Sequence, residues 1–267
     1  MDFNEKTLAR RLSGKKIGNP VYFFSEIGST NDYAFELGDG GAPEGAVVIA
    51  DLQTKGKGRL NRTWQSPPRA NLYASIILRP SVDPSQAPQI TLLAGVAVAD
   101  TLAPYCPGEV TLKWPNDVRI RGRKTCGILT EMKVRSGKVD FVVVGIGINI
   151  NLRREDLDEA FRDLSTSLRE EVGREVSRLD VTDALFTSLG DLYGRYIGEG
   201  FGPIRNRWLS YADIVGKPIQ VAFHDEVQSG VAVGIDDYGA LLLRDEAGAI
   251  KRILAGDATI VKNTQKT

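Results

Sequence analysis

Residues 110–134 read VTLKWPNDVRIRGRKTCGILTEMKV. The run up to Trp114 predicts a strand, and Pro115 breaks it because proline brings no N–H to a ladder. Arg121–Gly122 predicts the turn of a hairpin, whose second arm starts near Lys124. RSGK (Arg135–Lys138) turns the chain once more into VDFVVVGIGININ, a long β-branched run. The middle third of the chain is therefore strand-dominated.

Outward from this meander the pattern is mixed. On the N-terminal side, Asn4–Leu12 predicts a short helix and Val21–Ile27 a strand. Ser29–Gly41 predicts a helix opened by a polar cap and closed by glycines. Gly45–Gln53 reads as a buried strand, Ala70–Leu78 as another, and Ile90–Tyr105 as a packed helix of small apolar residues. From Arg153 to about Tyr211 the spacing predicts helices with charged faces, broken by GEGFGPIRNRW (Gly198–Trp208). After Val215 the pattern changes to short strands, KPIQVAF, VQSGVAVGID, GALLLRD and IKRILAGDATIV, which predict a small barrel. We expect a boundary near residue 214, with residues 1–213 forming one unit and 214–267 a second.

Composition narrows the chemistry. The chain has 267 residues, with 34 Lys+Arg against 34 Asp+Glu, so a dedicated nucleic-acid binder with an overall basic excess is not expected. His224 is the only histidine, which removes multi-histidine metal sites and leaves no imidazole base unless His224 serves. Cys106 and Cys126 fit no redox or zinc spacing, and a reducing cytoplasm is the expected compartment. The first residues lack the apolar core of a signal peptide, and no run approaches the ~18 apolar residues of a membrane span. About twenty residues precede the first strand, too few for an N-terminal helix-turn-helix domain.

Five segments could carry chemistry. QTKGKGRLNRTW (Gln53–Trp64) packs Lys55, Lys57, Arg59 and Arg62 around Gly56 and Gly58, and no acidic residue occurs between Leu52 and Val82. Glycines let backbone N–H groups approach an anion, and the cations add charge-assisted bonds to phosphate oxygens. It matches neither phosphate-loop fingerprint, G-x-x-x-x-G-K-[ST] or G-x-G-x-x-G, so a solvated basic loop remains open. KWPND (Lys113–Asp117) presents Asn116 and Asp117 after a rigid Trp-Pro pair, or is simply a surface turn. Lys124 precedes Gly127 and could reach into a pocket floored by bare backbone, or could simply be exposed. Gly145 and Gly147 share one face of a strand, which marks either a ligand's close approach or a bulge. Ser29 and Thr30 of STND either cap a helix or face a polar ligand at its N-terminus.

Taken together and in order, GSTND, QTKGKGRLNRTW, NLYASIIL, LKWPNDV, GRKTCGILTE, GIGININ and GIDDYGALLLRDEAG…ILAGD resemble the biotin–protein ligases over about Asn19 to Val261. The resemblance implies an α+β fold: a mixed β-sheet catalytic domain flanked by helices, of the class II synthetase-like biotin/lipoate ligase type, followed by a small SH3-like β-barrel. It implies an AMP-forming ligase that joins biotin to ATP as biotinyl-5′-AMP, with Mg²⁺. The biotin then passes to one lysine of the biotin carboxyl carrier domain of a carboxylase such as acetyl-CoA carboxylase. Charge and positioning suffice for this chemistry, with no protein nucleophile.

By motif, Ser29, Thr30, Asn31 and Gln53 match the segments that hold the biotin ureido ring. Gly56, Lys57, Gly58, Arg59 and Arg62 match the loop that closes over biotin and its adenylate, and Lys124 the lysine on the carboxylate and α-phosphate. Trp64 and Gly127 are expected along the biotin chain and Asn149 at adenine, with Gly147 among the binding residues. Asn116 and Asp117 are expected near metal, phosphate or the incoming lysine, with Asp117 orienting the acceptor amine. Arg59, Asp117 and Lys124 are the expected catalytic residues, and no protein metal-ligand set is expected. Lys57 stands where the family has an arginine and Asn61 where it commonly has glycine, so retention of the adenylate is expected to differ. Asp257 replaces a usual glutamate, a minor departure. The expectation is a monofunctional form that binds neither DNA nor membrane, either monomer or homodimer. A biotinyl-AMP-binding regulatory protein and a lipoate–protein ligase are the alternatives.

Overall fold

The computed structural model describes residues 3–223 and 225–261, so His224 lies outside the described residues. A seven-stranded sheet is built from β1 (Val21–Phe24), β2 (Val47–Ala50), β3 (Leu72–Leu78), β4 (Val110–Lys113), β5 (Asp117–Ile120), β6 (Arg123–Arg135) and β7 (Lys138–Ile148), in the order β1-β2-β3-β7-β6-β5-β4. β1 runs parallel to β2 and every other neighbouring pair is antiparallel, which makes the sheet mixed. The two expected turns form as two-residue hairpins. Arg121 and Gly122 have φ of 50° and 76°, and Ser136 and Gly137 have φ of 51° and 78°, the left-handed pairs that match strand twist.

The two faces of this sheet have different fates. α3 (Ala87–Leu102) lies against one face, with thirteen of its sixteen residues buried. A helix apolar nearly all round can only be a core element. Val47, Ile49, Ala74, Ile76, Val110, Leu112, Val118, Ile120, Cys126, Ile128, Val144 and Ile146 point into the core it shares with α1 (Glu5–Leu12), α5 (Arg178–Glu199) and α6 (Gly202–Tyr211). On the opposite face, α2 (Thr30–Asp39) covers only one end, packing Ala34 against Val48, Ile77, Phe141 and Val143. By the two-residue period of strands, the rest of that face carries Ser75, Gly145, Gly147, Gly127, Asp117, Arg119, Thr111 and Lys113.

α3 begins at Ala87 rather than Ile90, with Pro88 in its first turn, where a missing N–H costs nothing. The helical stretch expected from Arg153 to Tyr211 starts later: 3₁₀ turns and loop run to Ser167, and α4 (Leu168–Val172) and α5 follow. The expected break over Gly198–Trp208 shrinks to Gly200–Phe201, because Pro203 sits in the first turn of α6 and favours its start.

Beyond Ile214, β8 (Pro218–Phe223), β9 (Glu226–Ile235), β10 (Leu241–Arg244), β11 (Ile250–Ile253) and β12 (Asp257–Ile260) form an antiparallel sheet ordered β11-β10-β9-β8-β12. It is consistent with an SH3-like fold, although β11 and β12 do not pair to close it. Polar contacts tie it to the end of β4 and to helices α3 and α6. Trp114 Nε1 donates to the Gly239 carbonyl at 3.0 Å, Gln89 Nε2 to the Asp237 carbonyl at 2.6 Å, and Arg205 Nε to the Ile235 carbonyl at 2.7 Å.

Among the described residues, no helix is long and apolar enough to cross a membrane, and no cluster of three or more His, Cys, Asp or Glu side chains could hold a metal ion.

Candidate active site

The uncovered part of the sheet face is bounded by the N-terminus of α2, by the loop that follows β2, and by the C-terminal sheet. At one end, Ser29 is the N-cap of α2 but makes no side-chain cap bond. Gln53 does that work instead: its Oε1 accepts from Thr30 N at 2.9 Å and from Thr30 Oγ1 at 3.0 Å. Its Nε2 donates to Ser66 Oγ at 3.0 Å. Ser75 Oγ contacts Thr30 Oγ1 at 2.8 Å and donates to Asn31 Oδ1 at 2.6 Å, while Asn31 Nδ2 donates to Glu131 Oε2 at 2.7 Å and to the Leu129 carbonyl at 3.3 Å. Ser29, Thr30 and Asn31 are each 4% exposed, so this is a buried polar cup rather than a surface cap.

Three strand glycines form the floor next to it. A Cβ on Gly145 would lie 2.0 Å from Asn31 Oδ1, and one on Gly147 would lie 2.6 Å from Trp64 Nε1. Gly127, paired with Gly147 across β6 and β7, would meet Trp64 Cζ3 at 2.9 Å and Lys124 Nζ at 3.4 Å. The Trp64 indole lies directly on this bare backbone, and its Nε1 is buried with no hydrogen-bond partner. These glycines are close-approach positions rather than bulges.

Lys124 owes its direction to an irregularity. The β5–β6 register shifts so that Val118 faces Cys126 but Arg119 faces Lys124, leaving Thr125 as an extra residue. Without that bulge Lys124 and Gly127, an odd number of residues apart, would face opposite sides; with it both face the site. Lys124 Nζ lies 5.4 Å from the Trp64 ring centroid and 2.6 Å from Asp117 Oδ1. Asn116 Nδ2 donates to the Ile128 carbonyl at 2.8 Å, which fixes the turn after Pro115.

The basic loop is fastened on both sides. Lys57 forms an ion pair with Asp32 in the first turn of α2, and that bond raises the lysine's affinity for its proton above the ordinary value. Arg59 reaches the other way, donating from Nη1 to Asn116 Oδ1 at 3.2 Å and to the Gly256 carbonyl at 3.4 Å, and pairing with Asp257 at 3.4 Å. Burial lowers the Arg59 pKa from its usual value, with Asp257 opposing that shift. Arg62 Nη2 lies 2.6 Å from the other Asp257 oxygen. Gly58 N donates to the Arg62 carbonyl at 2.7 Å to close the loop's tip, and a Cβ on Gly56 would lie 2.4 Å from the Trp64 carbonyl. Leu60 and Asn61 both have positive φ, 53° and 57°, so asparagine at 61 keeps the left-handed conformation that glycine would give.

Asn149 closes the far side of the site. Its Oδ1 accepts from Asn71 Nδ2 at 3.3 Å and its Nδ2 donates to the Thr166 carbonyl at 3.1 Å. The residues just described surround this face; Lys55, also in the basic loop, contributes its N–H to the Gly28 carbonyl and its side chain is exposed. Sequence reasoning missed Ser75, Glu131, Ser66 and Asp32. Ser75 was detectable as the hydroxyl that breaks an otherwise apolar strand; the others gave no local signal. It also undervalued Asp257, which holds two arginines of the loop.

A buried polar cup, a floor of bare backbone and a cationic end beside a basic loop thus lie in one row on the sheet, an arrangement suited to an elongated acid and an anionic partner. Comparisons with known proteins agree with this reading. Residues 23–149 match the family model described as the biotin/lipoate A/B protein ligase family, and residues 214–260 match the biotin protein ligase C-terminal domain. The chain is 37% identical to the bifunctional ligase/repressor BirA of Bacillus subtilis, over 95% of this chain and 78% of that protein. It is 33% identical to the biotin–[acetyl-CoA-carboxylase] ligase of Mycobacterium tuberculosis, over 95% of this chain and 94% of that one. The structure of the biotin protein ligase from Aquifex aeolicus in complex with biotin and ATP superposes with a TM-score of 0.76 at 28% identity, covering 91% of this chain and 99% of that one. The chain belongs to the biotin protein ligases.

Proposed function

We infer that this chain activates biotin with ATP and transfers it to a lysine of the biotin carrier domain of a carboxylase. The observation that carries the reading is the alignment, along one sheet face, of the polar cup, the glycine floor under Trp64, Lys124 and the basic loop. In the first step a biotin carboxylate oxygen attacks the α-phosphorus and the bond to pyrophosphate breaks. In the second, the acceptor lysine amine attacks the acyl carbon, AMP leaves, and the amine loses a proton.

Both reactants of the first step are anionic, so cations must be in place before they meet. Lys124 is the group assigned between carboxylate and α-phosphate. The cup of Ser29, Thr30, Asn31 and Gln53 offers donors and acceptors to a ureido ring, and Trp64, Gly127 and Gly147 line the acyl chain. The indole rests on the floor, so it must lift for the chain to pass, and it then becomes the roof. Asn149 is assigned to adenine. Gly56, Lys57, Gly58, Arg59 and Arg62 form the flap over the mixed anhydride. Asn116 orients Arg59, and Asp117 orients the acceptor amine once the phosphates have drawn Lys124 away.

Mg²⁺ would arrive with ATP. Such ions take one or two carboxylates and the phosphate oxygens, and Asp117 is the carboxylate placed for it, which fits an ion held chiefly by the nucleotide. When bound it would neutralise phosphate charge. Residues 1–213 are assigned the chemistry and 214–267 the seat for the flap. The reading places the protein in the cytoplasm beside its carboxylase, without a DNA target. A gel shift with biotin and ATP present tests the latter point.

The decisive experiment is biotin-dependent exchange of pyrophosphate into ATP, followed by biotinylation of a purified carrier domain. Absence of both sinks the reading. Free lipoate lacks the ureido ring that the cup is built for, so it should not compete with biotin in the exchange assay.

A further inference from the structure

Lys113 ends β4, directly across from Asp117 of β5. Val110 and Leu112 are buried in the core, so Thr111 and Lys113 face the site side of the sheet. Lys113 is half-buried there, and among the described residues it has neither a hydrogen bond nor an ion pair. Its two neighbouring carboxylates are already committed: Asp117 to Lys124 at 2.6 Å, and Asp257 to Arg62 at 2.6 Å. Arg119 sits on the same face, two residue pairs along, and its buried Nε has no hydrogen-bond partner. Burial, opposed only in part by Asp117 and Asp257 and helped by Arg119 and Lys124, lowers the pKa of Lys113 from its usual value. Asp213 faces Arg119 and Lys113, and its own carboxyl is pushed up by burial. Five cations (Lys113, Arg119, Lys124, Arg59, Arg62) thus meet three carboxylates (Asp117, Asp213, Asp257) at this end of the sheet. A half-buried lysine with no ion-pair partner of its own is a costly arrangement that an arriving anion relieves.

The sheet order says which anion. Along the site face the groups run from Ser75 on β3, through Gly145 and Gly147 on β7 and Gly127 and Lys124 on β6, to Asp117 on β5 and Lys113 on β4. An acid whose head lies in the cup and whose carboxylate reaches Lys124 is travelling toward β4. In phosphoryl-type transfer the attacking and leaving oxygens lie roughly in line across the phosphorus. The leaving group must therefore depart in that same direction, over β5 and β4. We propose that Lys113 binds the β- and γ-phosphates of ATP and carries the charge of the departing pyrophosphate.

This assignment rests on the ligase reading and is tested so that the two fail separately. Wild-type protein is measured first in biotin-dependent pyrophosphate exchange; no activity there removes the ligase reading itself. With wild-type exchange established, Lys113→Met should raise the KM for pyrophosphate and lower kcat/KM for ATP by about 10- to 100-fold. The KM for biotin should stay within about twofold, as should the rate of biotin transfer from preformed biotinyl-5′-AMP, which contains no pyrophosphate. Lys113→Arg keeps the charge and should recover most of the exchange activity. If transfer from preformed adenylate falls as far as exchange does, Lys113 serves the acceptor amine instead and the proposal is overturned. Unchanged pyrophosphate and ATP parameters overturn it equally. Should Lys113→Met lose its melting transition, Lys113→Gln and Lys113→Arg are compared with the same outcomes in view.

Discussion

Replacing Gly145 by alanine puts a methyl group 2.0 Å from Asn31 Oδ1, well inside contact distance. Asn31 cannot simply step back, because it is 4% exposed in the first turn of α2. Its carboxamide must turn and give up its bonds to Ser75 at 2.6 Å, Glu131 at 2.7 Å and the Leu129 carbonyl at 3.3 Å. At about 1 kcal/mol for each neutral bond and about 1.5–3 kcal/mol for the one to a carboxylate, the loss comes to about 3–5 kcal/mol. For a chain of this size that lowers Tm by roughly 6–15 °C. The same movement dismantles the cup, so the KM for biotin should rise by about 10- to 100-fold while the KM for ATP moves little. Thermal melting and a biotin titration of the exchange reaction measure the two effects on one sample. The sign is diagnostic. Gly145 is not in the left-handed region, and a glycine-to-alanine change without a clash stabilises by about 0.4–1 kcal/mol. A variant that melts at or above the wild-type temperature and keeps its biotin KM would refute the argument.

Three further outcomes are expected. Lys124→Ala should slow adenylate formation by at least about 100-fold, read by single-turnover quenching, because it strips the cation beside Gly127 on the glycine floor; a wild-type rate would remove Lys124 from the site. Arg59→Gly should shorten the residence of biotinyl-5′-AMP by about tenfold, with Asp257→Asn a smaller effect in the same direction; a dissociation chase that shows equal or slower release contradicts the flap assignment. Trp114→Phe leaves the Gly239 carbonyl without its donor in a buried contact, costing about 1–3 kcal/mol. A denaturant midpoint that does not move would show that this bond does not hold the two sheets together.

Much of this was legible in the primary structure, for reasons that differ from residue to residue. The hairpins at Arg121–Gly122 and Ser136–Gly137 are set by local turn chemistry, so the antiparallel β5–β6–β7 meander follows from sequence alone. α6 was hidden because a glycine-rich, proline-bearing segment reads as a break, although proline in the first turn favours a helix start. The strand order, which lines up the site groups, depends on long-range pairing that no local pattern encodes. Lys124 was noticed, yet the bulge that aims it involves Thr125, whose side chain gives no hint of it. Asp32 carries no assigned role within GSTND and Asp257 reads only as a minor departure from a usual glutamate; the path of the basic loop makes both of them its partners.

The fastenings of that loop have a consequence for the medium in which the protein works. Lys57–Asp32 has side-chain exposures of 44% and 48%, and Arg62–Asp257 of 66% and 25%, while Leu60 at the tip is 46% exposed. The flap is therefore held by ions in contact with solvent and by little apolar burial. Dissolved salt screens such pairs over a distance of about 8 Å at physiological ionic strength. The lifetime of the enclosed intermediate should then shorten as ionic strength rises, whereas a flap seated by hydrophobic contact would hold or tighten. On this reading the local electrolyte, as much as the acceptor lysine, should set how long the activated acid is kept from water.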